Sequence, residues 1–500
     1  MLSKNAVTLL NTRYTNKEKG EQAGEVYPRA ARFLSNGEEK FEKRLNTMMA
    51  NNVFLPNSPC LMNAGDNKGG LHACYILPVA DDLTEIMRTV ADMAKIFQES
   101  GGVGINFSPL RPEGASLSRG GTSSGPISFM KGFDIFVEIV KQGGRRRGAL
   151  MGIMNWNHPD IYNFINAKVK GELKNFNLSI MASDEFMRQA LTPLTEENNI
   201  FTIACNASWI NGDPAFLFLD RINKDNPFSD EFIIDTVNPC SEVALPHYSA
   251  CCLGSLNLST YADTHGSFNF EGFYNDCAFA TKVLTRMNEL GNYPLPQIAE
   301  SMRRYNPVGV GIMGFADCLV KLSIRYDSPE CLDFIDKIGK VYMDGTLSYE
   351  PDRFFFYRRI IAPTGSLSLL ADCSSGIEPI YAESVTRNLV VGKFEEIRKL
   401  YKSEFVRTAH QVSPEWHVKV LAQWQKWIDG GCSKTVNLPK GAKIWEIQNV
   451  YKMAWEMGCK GITVYRDGSH TDQPLNNNTE TETVPYVPFM GKCSNAECTT

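Results

Sequence analysis

The sequence predicts an α/β protein built on parallel strands. Short β-rich runs, at Asn177–Met181, Val308–Met313 and Arg359–Ala362, alternate with helical patterns from about residue 125 to about residue 465. The 500 residues carry ordinary apolar content, 43%, enough to bury a large core without covalent staples. No internal repeat of solenoid length interrupts the pattern.

In chain order, residues 1–56 read as helical, with mixed charge and the recurring apolar positions of a surface helix pair. The clearest helix is Leu83–Ser100. Leu83, Ile86, Met87, Val90, Met93, Ala94 and Phe97 share one face, Asp82 with Glu85 forms a capping-box pattern, and Gly101-Gly102 stops it. A stripe of that length buries against the core or against a second copy. Gly101–Gly125 is glycine- and serine-rich, broken by Arg111 and Arg119. After Tyr465 the composition shifts, and Asp472–Thr483, rich in Asn, Thr and Glu, reads as a flexible linker to a tail bearing Cys493 and Cys498.

Charge is nearly balanced at -5, and the only dense cation run is Arg145-Arg146-Arg147, so nucleic acid is not an expected partner. No leader pattern precedes Asn5 and no window approaches the roughly 18 apolar residues of a membrane span, so a cytoplasmic protein is expected. Fourteen cysteines show no C-x-x-C and no zinc-finger spacing, and the histidines form no recognisable metal site. Most are expected to be small buried apolar residues.

The sharpest local signal is Asn238-Pro239-Cys240-Ser241-Glu242. Read as extended chain, as Pro239 favours, it projects an amide, a thiol and a carboxylate to one face. A thiol beside a hydrogen-bonding amide and a general base is a plausible catalytic unit, and a strand end with a buried cysteine is the bland alternative. Further features are Cys74 in Leu71–Pro78, Cys251-Cys252 in Ala250–Leu258, and Ile361–Ser368 followed by Cys373–Pro379. The last two segments are rich in glycine and hydroxyl residues, suited to cradling phosphate.

The segments Asn238–Glu242, Cys251–Asn257, Ala362–Ser366, Cys373–Pro379 and Gly458–Gly468 resemble those of ribonucleotide reductase large subunits, closest to the adenosylcobalamin-dependent (class II) branch. The resemblance runs in order from about Leu2 to Gly468. It implies a ten-stranded α/β barrel with a central finger loop over 57–468, an N-terminal helical region over 1–56 and a flexible redox tail over 469–500. It implies that Cys240 carries the radical, Glu242 accepts the 3'-hydroxyl proton and Asn238 holds the ribose hydroxyls. Cys74 and Cys251 would reduce the 2' position and end as a disulfide, with Cys252 a rival to Cys251. Cys493 and Cys498 would then reset that disulfide by thiol exchange, drawing on a thioredoxin- or glutaredoxin-type reductant. A radical thiol should be shielded from water.

Substrate phosphate contacts carry over to Ser58, Thr364, Gly365 and Ser366. Contacts to a deoxynucleotide or ATP effector carry over to Asp81, at ribose, and Arg111, at phosphate, beside a homodimer interface formed by Leu83–Ser100. Three departures bear on regulation and cofactor. The chain starts at Leu2 without the family's ATP-binding cone, so on/off control by ATP and dATP is not expected. The stretch between Gly314–Asp317 and Ala362–Thr364 is short, which bears on peripheral helices and cofactor contacts. Val464-Tyr465 stands where relatives with a ferritin-like radical subunit carry two tyrosines, which favours adenosylcobalamin. The alternatives are a class I-type subunit that holds no cofactor itself and needs such a partner, and a silent nucleotide-binding homologue. A radical-free thiol oxidoreductase is disfavoured by the lack of C-x-x-C.

Overall fold

Short apolar runs buried on both faces become strands, whose main-chain groups are satisfied by the neighbouring strands of the ladder. The computed structural model describes residues 2–66, 69–99, 101–140, 148–389, 391–397, 404–469 and 475–477. Its strands in chain order are β1 (Phe54–Pro56), β2 (Cys74–Ile76), β3 (Gly102–Asn106), β4 (Leu150–Asn155), β5 (Phe176–Ala182) and β6 (Ala215–Phe218). They continue with β7 (Leu253–Asn257), β8 (Gly309–Met313), β9 (Ser384–Leu389), β10 (Gly392–Ile397), β11 (Thr435–Leu438), β12 (Gly461–Arg466) and β13 (Leu475–Asn477).

Strands β2 to β6 lie side by side and parallel, in sequence order. Strand β6 meets β12 antiparallel, and β12 runs parallel to β11. In the other direction β7 pairs with β8, and parallel bridges Val310↔Arg359 and Ile361↔Cys432 carry the ladder through Arg359–Ile361 to the chain entering β11. The antiparallel bridge Tyr75↔Ala250 joins β2 to the chain entering β7 and closes the ring. Counting Arg359–Ile361, ten strands form a barrel of two parallel five-stranded halves that run against each other. The expected barrel is what forms.

Side chains alternate in and out with the two-residue period of a strand. Cys74, Ile76, Met151, Ile153, Met181, Leu217 and Cys251 pack in an inner cluster, while Tyr75, Leu150, Leu178, Ile180 and Cys252 join the outer core beneath the helices. The predicted surface pair is α1 (Val26–Ser35) with α2 (Glu39–Ala50). The long amphipathic helix is α3 (Leu83–Gln98), and α4 (Gly125–Ile139) packs beside it. No helix among the described residues is long and apolar enough to cross a membrane.

Three local expectations differ from the structure. Asp82 caps α3 through the N–H groups of Thr84 and Glu85, but Glu85 bonds Arg88 instead of reaching back, so only half of the capping box forms. The glycine-rich segment opens with β3, whose five residues are all buried. Within the expected linker, Leu475–Asn477 adds to the β9 edge as an antiparallel strand, because the β9–β10 hairpin leaves that edge unpaired. The rest of the tail, including Cys493 and Cys498, lies outside the described residues, as does the Arg145–Arg147 run.

His72 leads into β2 fully buried, stacked on Tyr293, with one ring nitrogen 3.0 Å from the Asn288 amide oxygen. Burial depresses its pKa from 6.5 to about 4. The unfolded chain therefore binds a proton there between pH 6.5 and 4 that the folded chain refuses, and stability falls as the pH drops through that window. Thermal midpoints measured from pH 7 to pH 4 should decline, and the His72→Gln variant should lose part of this slope; an unchanged slope would contradict the assignment.

Candidate active site

A hairpin crosses the barrel lumen between β6 and β7. Its arms are tied by the antiparallel bridge Val237↔Ala244 and by the Asn238 N–H donating to the Val243 carbonyl at 3.0 Å. At the tip the Ser241 N–H donates to the Asn238 carbonyl at 2.9 Å, which makes Asn238–Ser241 a β-turn with Pro239 at its first corner and Cys240 at its second. Ser241 adopts φ 69° to leave it. The segment is a turn, not the extended chain the sequence suggested, because Pro239 presets the φ of a turn corner as readily as that of a strand. Cys240 consequently stands alone at the apex, and Asn238 and Glu242 lie buried on its two flanks.

Backbone contacts hold the hairpin in place. A Cβ at Gly104 on β3 would overlap the Val237 carbonyl oxygen, so only glycine permits the approach. On the other side the Gly431 N–H donates to the Glu242 carbonyl at 2.8 Å, and a Cβ at 431 would lie 2.8 Å from that same oxygen. Asn177, inward on β5, donates from Nδ2 to the Pro239 carbonyl at 2.7 Å, one residue before Cys240. The Asn238 side-chain oxygen accepts from the Val243 N–H at 2.9 Å, while its buried Nδ2 has no hydrogen-bond partner.

The hairpin tip separates two cavities. One, of about 410 Å³, is lined by Ser58, Cys74, Cys240, Glu242, Thr364, Gly365 and Ser366, so it gathers predicted residues from four distant segments. The other, of about 450 Å³, is lined by Asn177, Ser179, Pro239, Cys240, Glu378 and Tyr465 among others. Cys240 belongs to both walls and is exposed, whereas the other described cysteines are buried. The expected shielding is therefore incomplete at the tip itself, since a side chain that forms two cavity walls cannot also be enclosed by protein.

Cys74 and Cys251 face each other across the β2–β7 junction, in register with the Tyr75↔Ala250 bridge. The Cys251 N–H donates to the Cys74 carbonyl at 2.8 Å, and the Cys74 N–H donates to the Cys251 sulfur at 3.0 Å. Burial first, then the Cys74 thiol and the Glu242 charge, push the Cys251 thiol well above its ordinary pKa. Cys252 points the opposite way, as its neighbour in a strand must, with its thiol on the Leu284 carbonyl at 3.2 Å.

At the rim of the first cavity, Thr364 sits at φ 55° ahead of the short helix α5 (Gly365–Ala371), and its hydroxyl accepts from the Gly376 N–H at 2.7 Å. Arg13 donates from Nη1 to the Ser366 hydroxyl at 2.7 Å, and Tyr14 bonds Ser58 at 2.8 Å. The buried Nε of Arg13 has no partner. Arg13 was missed from sequence, where it is one cation in a mixed-charge stretch. Asp81 and Arg111 meet beside the start of α3, but they bond one another, Nε to Oδ2 at 2.7 Å, rather than standing apart. Among the described residues no cluster of histidine, cysteine and carboxylate groups could hold a metal.

The family model for the ribonucleotide reductase barrel domain matches residues 72–203, 195–348, 354–407 and 395–465, and that for its all-alpha domain matches 1–69. A vitamin B12-dependent ribonucleoside-diphosphate reductase of Thermoplasma acidophilum is 36% identical over 87% of this chain, which spans 66% of that protein's length. One of the same name from Mycobacterium tuberculosis is 32% identical over 99% of this chain and 84% of its own. Among solved structures, the Actinobacillus ureae class Id ribonucleotide reductase alpha subunit shares the fold, with TM-score 0.80, 21% identity and coverage of 93% of this chain and 97% of that one.

The thiol environments predict unequal reactivity, because thiolate content and access govern alkylation. In brief exposure to iodoacetamide near pH 7.5, peptide mapping should find Cys240 modified about tenfold or more ahead of Cys74 and Cys251. Equal modification of the three would contradict the geometry.

Proposed function

The chain belongs to the ribonucleotide reductase large-subunit family, and from that premise we propose that it reduces ribonucleotides to 2'-deoxyribonucleotides through a radical at Cys240, with adenosylcobalamin as cofactor. The observation that carries this reading is the cavity that sets Cys240, Glu242 and Cys74 opposite Ser58 and Thr364–Ser366. The substrate phosphates would rest on the Ser58, Thr364 and Ser366 hydroxyls, on the open N–H groups at the start of α5, and on Arg13. This leaves the sugar beneath the hairpin tip. The names of the relatives favour diphosphates.

Each residue then has a role that fits its surroundings. The Asn238 oxygen is spent on the Val243 N–H, so its amide hydrogens are left to donate to a ribose hydroxyl. Glu242 accepts the 3'-hydroxyl proton. The sulfur radical at Cys240 takes a hydrogen atom from the sugar and later returns one. Cys74 and Cys251 give two hydrogens and two electrons: the C2'–oxygen bond breaks, the oxygen leaves as water and an S–S bond forms. Burial favours the protonated Cys251 thiol at neutral pH, as a hydrogen donor requires. Cys493 and Cys498 would reopen the disulfide, supplied by a thioredoxin-type protein.

The second cavity suits the adenosyl end of the cofactor, which must reach the hairpin tip. The cavity shares only Cys240 at the hairpin tip and Pro363 with the sugar side, and its Ser179 hydroxyl is buried without a partner. Ser179, Asn177 and Tyr465 would hold the group, and Glu378 is neutralised there by the buried Lys434 at 2.5 Å. When bound, adenosylcobalamin supplies the oxidising radical. Asn177 fixes the tip through Pro239. On α3 and α4 the exposed Leu83, Met87, Ile135 and Ile139 form an apolar face suited to a second copy, with the effector held near Asp81 and Arg111 once their mutual ion pair opens.

Purified protein given a ribonucleoside diphosphate, dithiothreitol and adenosylcobalamin should form deoxynucleotide, and Cys240→Ala should form none. Product appearing only after a ferritin-like protein is added would replace the cofactor assignment. Arg13→Ala should raise KM by about tenfold or more with a smaller effect on kcat, the loss of one charge-assisted contact. An unchanged KM would remove Arg13 from the phosphate seat.

A further inference from the structure

Because the two halves of the barrel run antiparallel, the end of β6 and the starts of Arg359–Ile361, β11 and β12 share one rim, opposite the cavities described above. Four chain segments at that rim enclose a further cavity of about 610 Å³ that shares no lining residue with either. Six cationic side chains line it, Arg221, Lys224, Arg358, Arg359, Lys426 and Lys460, against the two carboxylates Asp225 and Asp429, an excess of four positive charges. The chain as a whole carries -5, so this concentration of positive charge is local.

Half of the cations are already paired. Arg359 bonds Asp429, Lys460 lies 2.8 Å from Asp225, and Arg221 lies 3.3 Å from Asp184. The other three have no carboxylate partner among the described residues. Arg358 stacks over the Phe355 ring at 4.1 Å and donates from Nη1 to the Thr346 and Tyr349 carbonyls. Lys426 reaches only the Gln423 side-chain oxygen at 2.7 Å, and Lys224 is exposed. A second observation points to a ligand. Tyr357, on the lining and 1% exposed, has a hydroxyl with no hydrogen-bond partner, and the buried Nε of Arg221 lacks one too. Buried donors are normally satisfied, so two at one cation-rich wall call for an acceptor.

We propose that this rim cavity binds a polyphosphate chain, with Lys224, Arg358 and Lys426 on its oxygens and the Tyr357 hydroxyl as a further donor. Planar and point cations without carboxylate partners suit phosphate oxygens, and the volume is that of a small-ligand site. The chemistry is shared by a nucleoside triphosphate and by inorganic polyphosphate. Trp427, half-buried on the same wall, offers a base a stacking face that bare polyphosphate would not use.

Calorimetric titration of the full-length protein with inorganic tripolyphosphate tests the assignment, in an Arg13→Ala, Arg111→Ala background that disables the other phosphate contacts. One equivalent should bind. Adding Lys224→Glu and Lys426→Glu, both exposed and so harmless to the fold, should weaken binding about tenfold or more, and Tyr357→Phe a few-fold. Absent binding, or binding indifferent to the two lysine reversals, overturns the proposal. Tighter binding of ATP than of tripolyphosphate, lost in parallel in Trp427→Ala, identifies a nucleotide; equal affinity identifies bare polyphosphate. Deoxynucleotide formation is assayed separately, so failure of this site leaves the reductase reading untouched.

Discussion

The structure depends on one contact between backbones, the Val237 carbonyl lying against Gly104. Eight strands close a barrel that their own side chains can fill, but ten leave a lumen. Here the lumen is plugged by a hairpin whose Val237, Val243, Ala244 and Leu245 pack with Met151, Ile153 and Leu217 of the surrounding strands. The plug is the core of the barrel as well as the carrier of the exposed Cys240. Moving it would therefore break the packing of every strand that faces it, which is why its tip is held in so definite a place. Gly431, bonded to Glu242 from the far wall, makes the clamp two-sided.

The second constraint is the seam where the two half-barrels meet head to tail. Opposed residues in an antiparallel pair stand roughly 4.5–5.5 Å apart at Cα, inside the range a disulfide requires. Cys74 and Cys251 occupy such a pair, with mutual backbone and side-chain hydrogen bonds already in place. The antiparallel seam thus gives the dithiol its geometry, and the hairpin gives the third thiol its place on the wall of the cavity lined by Ser58 and Thr364.

How much was legible in the sequence follows from how local each signal is. Helix α3 announces itself through seven apolar residues on one face, and its start through Asp82. Strands β5 and β8 show as short apolar runs because both their faces are covered. Strand β3 was invisible: Gly-Val-Gly-Ile-Asn reads as loop, and the reason for Gly104 is a carbonyl more than a hundred residues away. The same distance hid Arg13, whose partner Ser366 lies 353 residues on. The grouping of Cys74 with Cys240 came from family resemblance, since nothing local to either residue indicates it. Alternation in and out of a strand then separates Cys251 from Cys252, once the strand and its facing are known.

Cys240 forms part of the wall of both central cavities, so at the hairpin tip the partition between them is one side chain thick. Two chambers of different lining thus open on a single sulfur. An electrophile shaped for either chamber meets the same atom, and the protein is open to inactivation from two directions by molecules that need share no shape with each other or with a nucleotide.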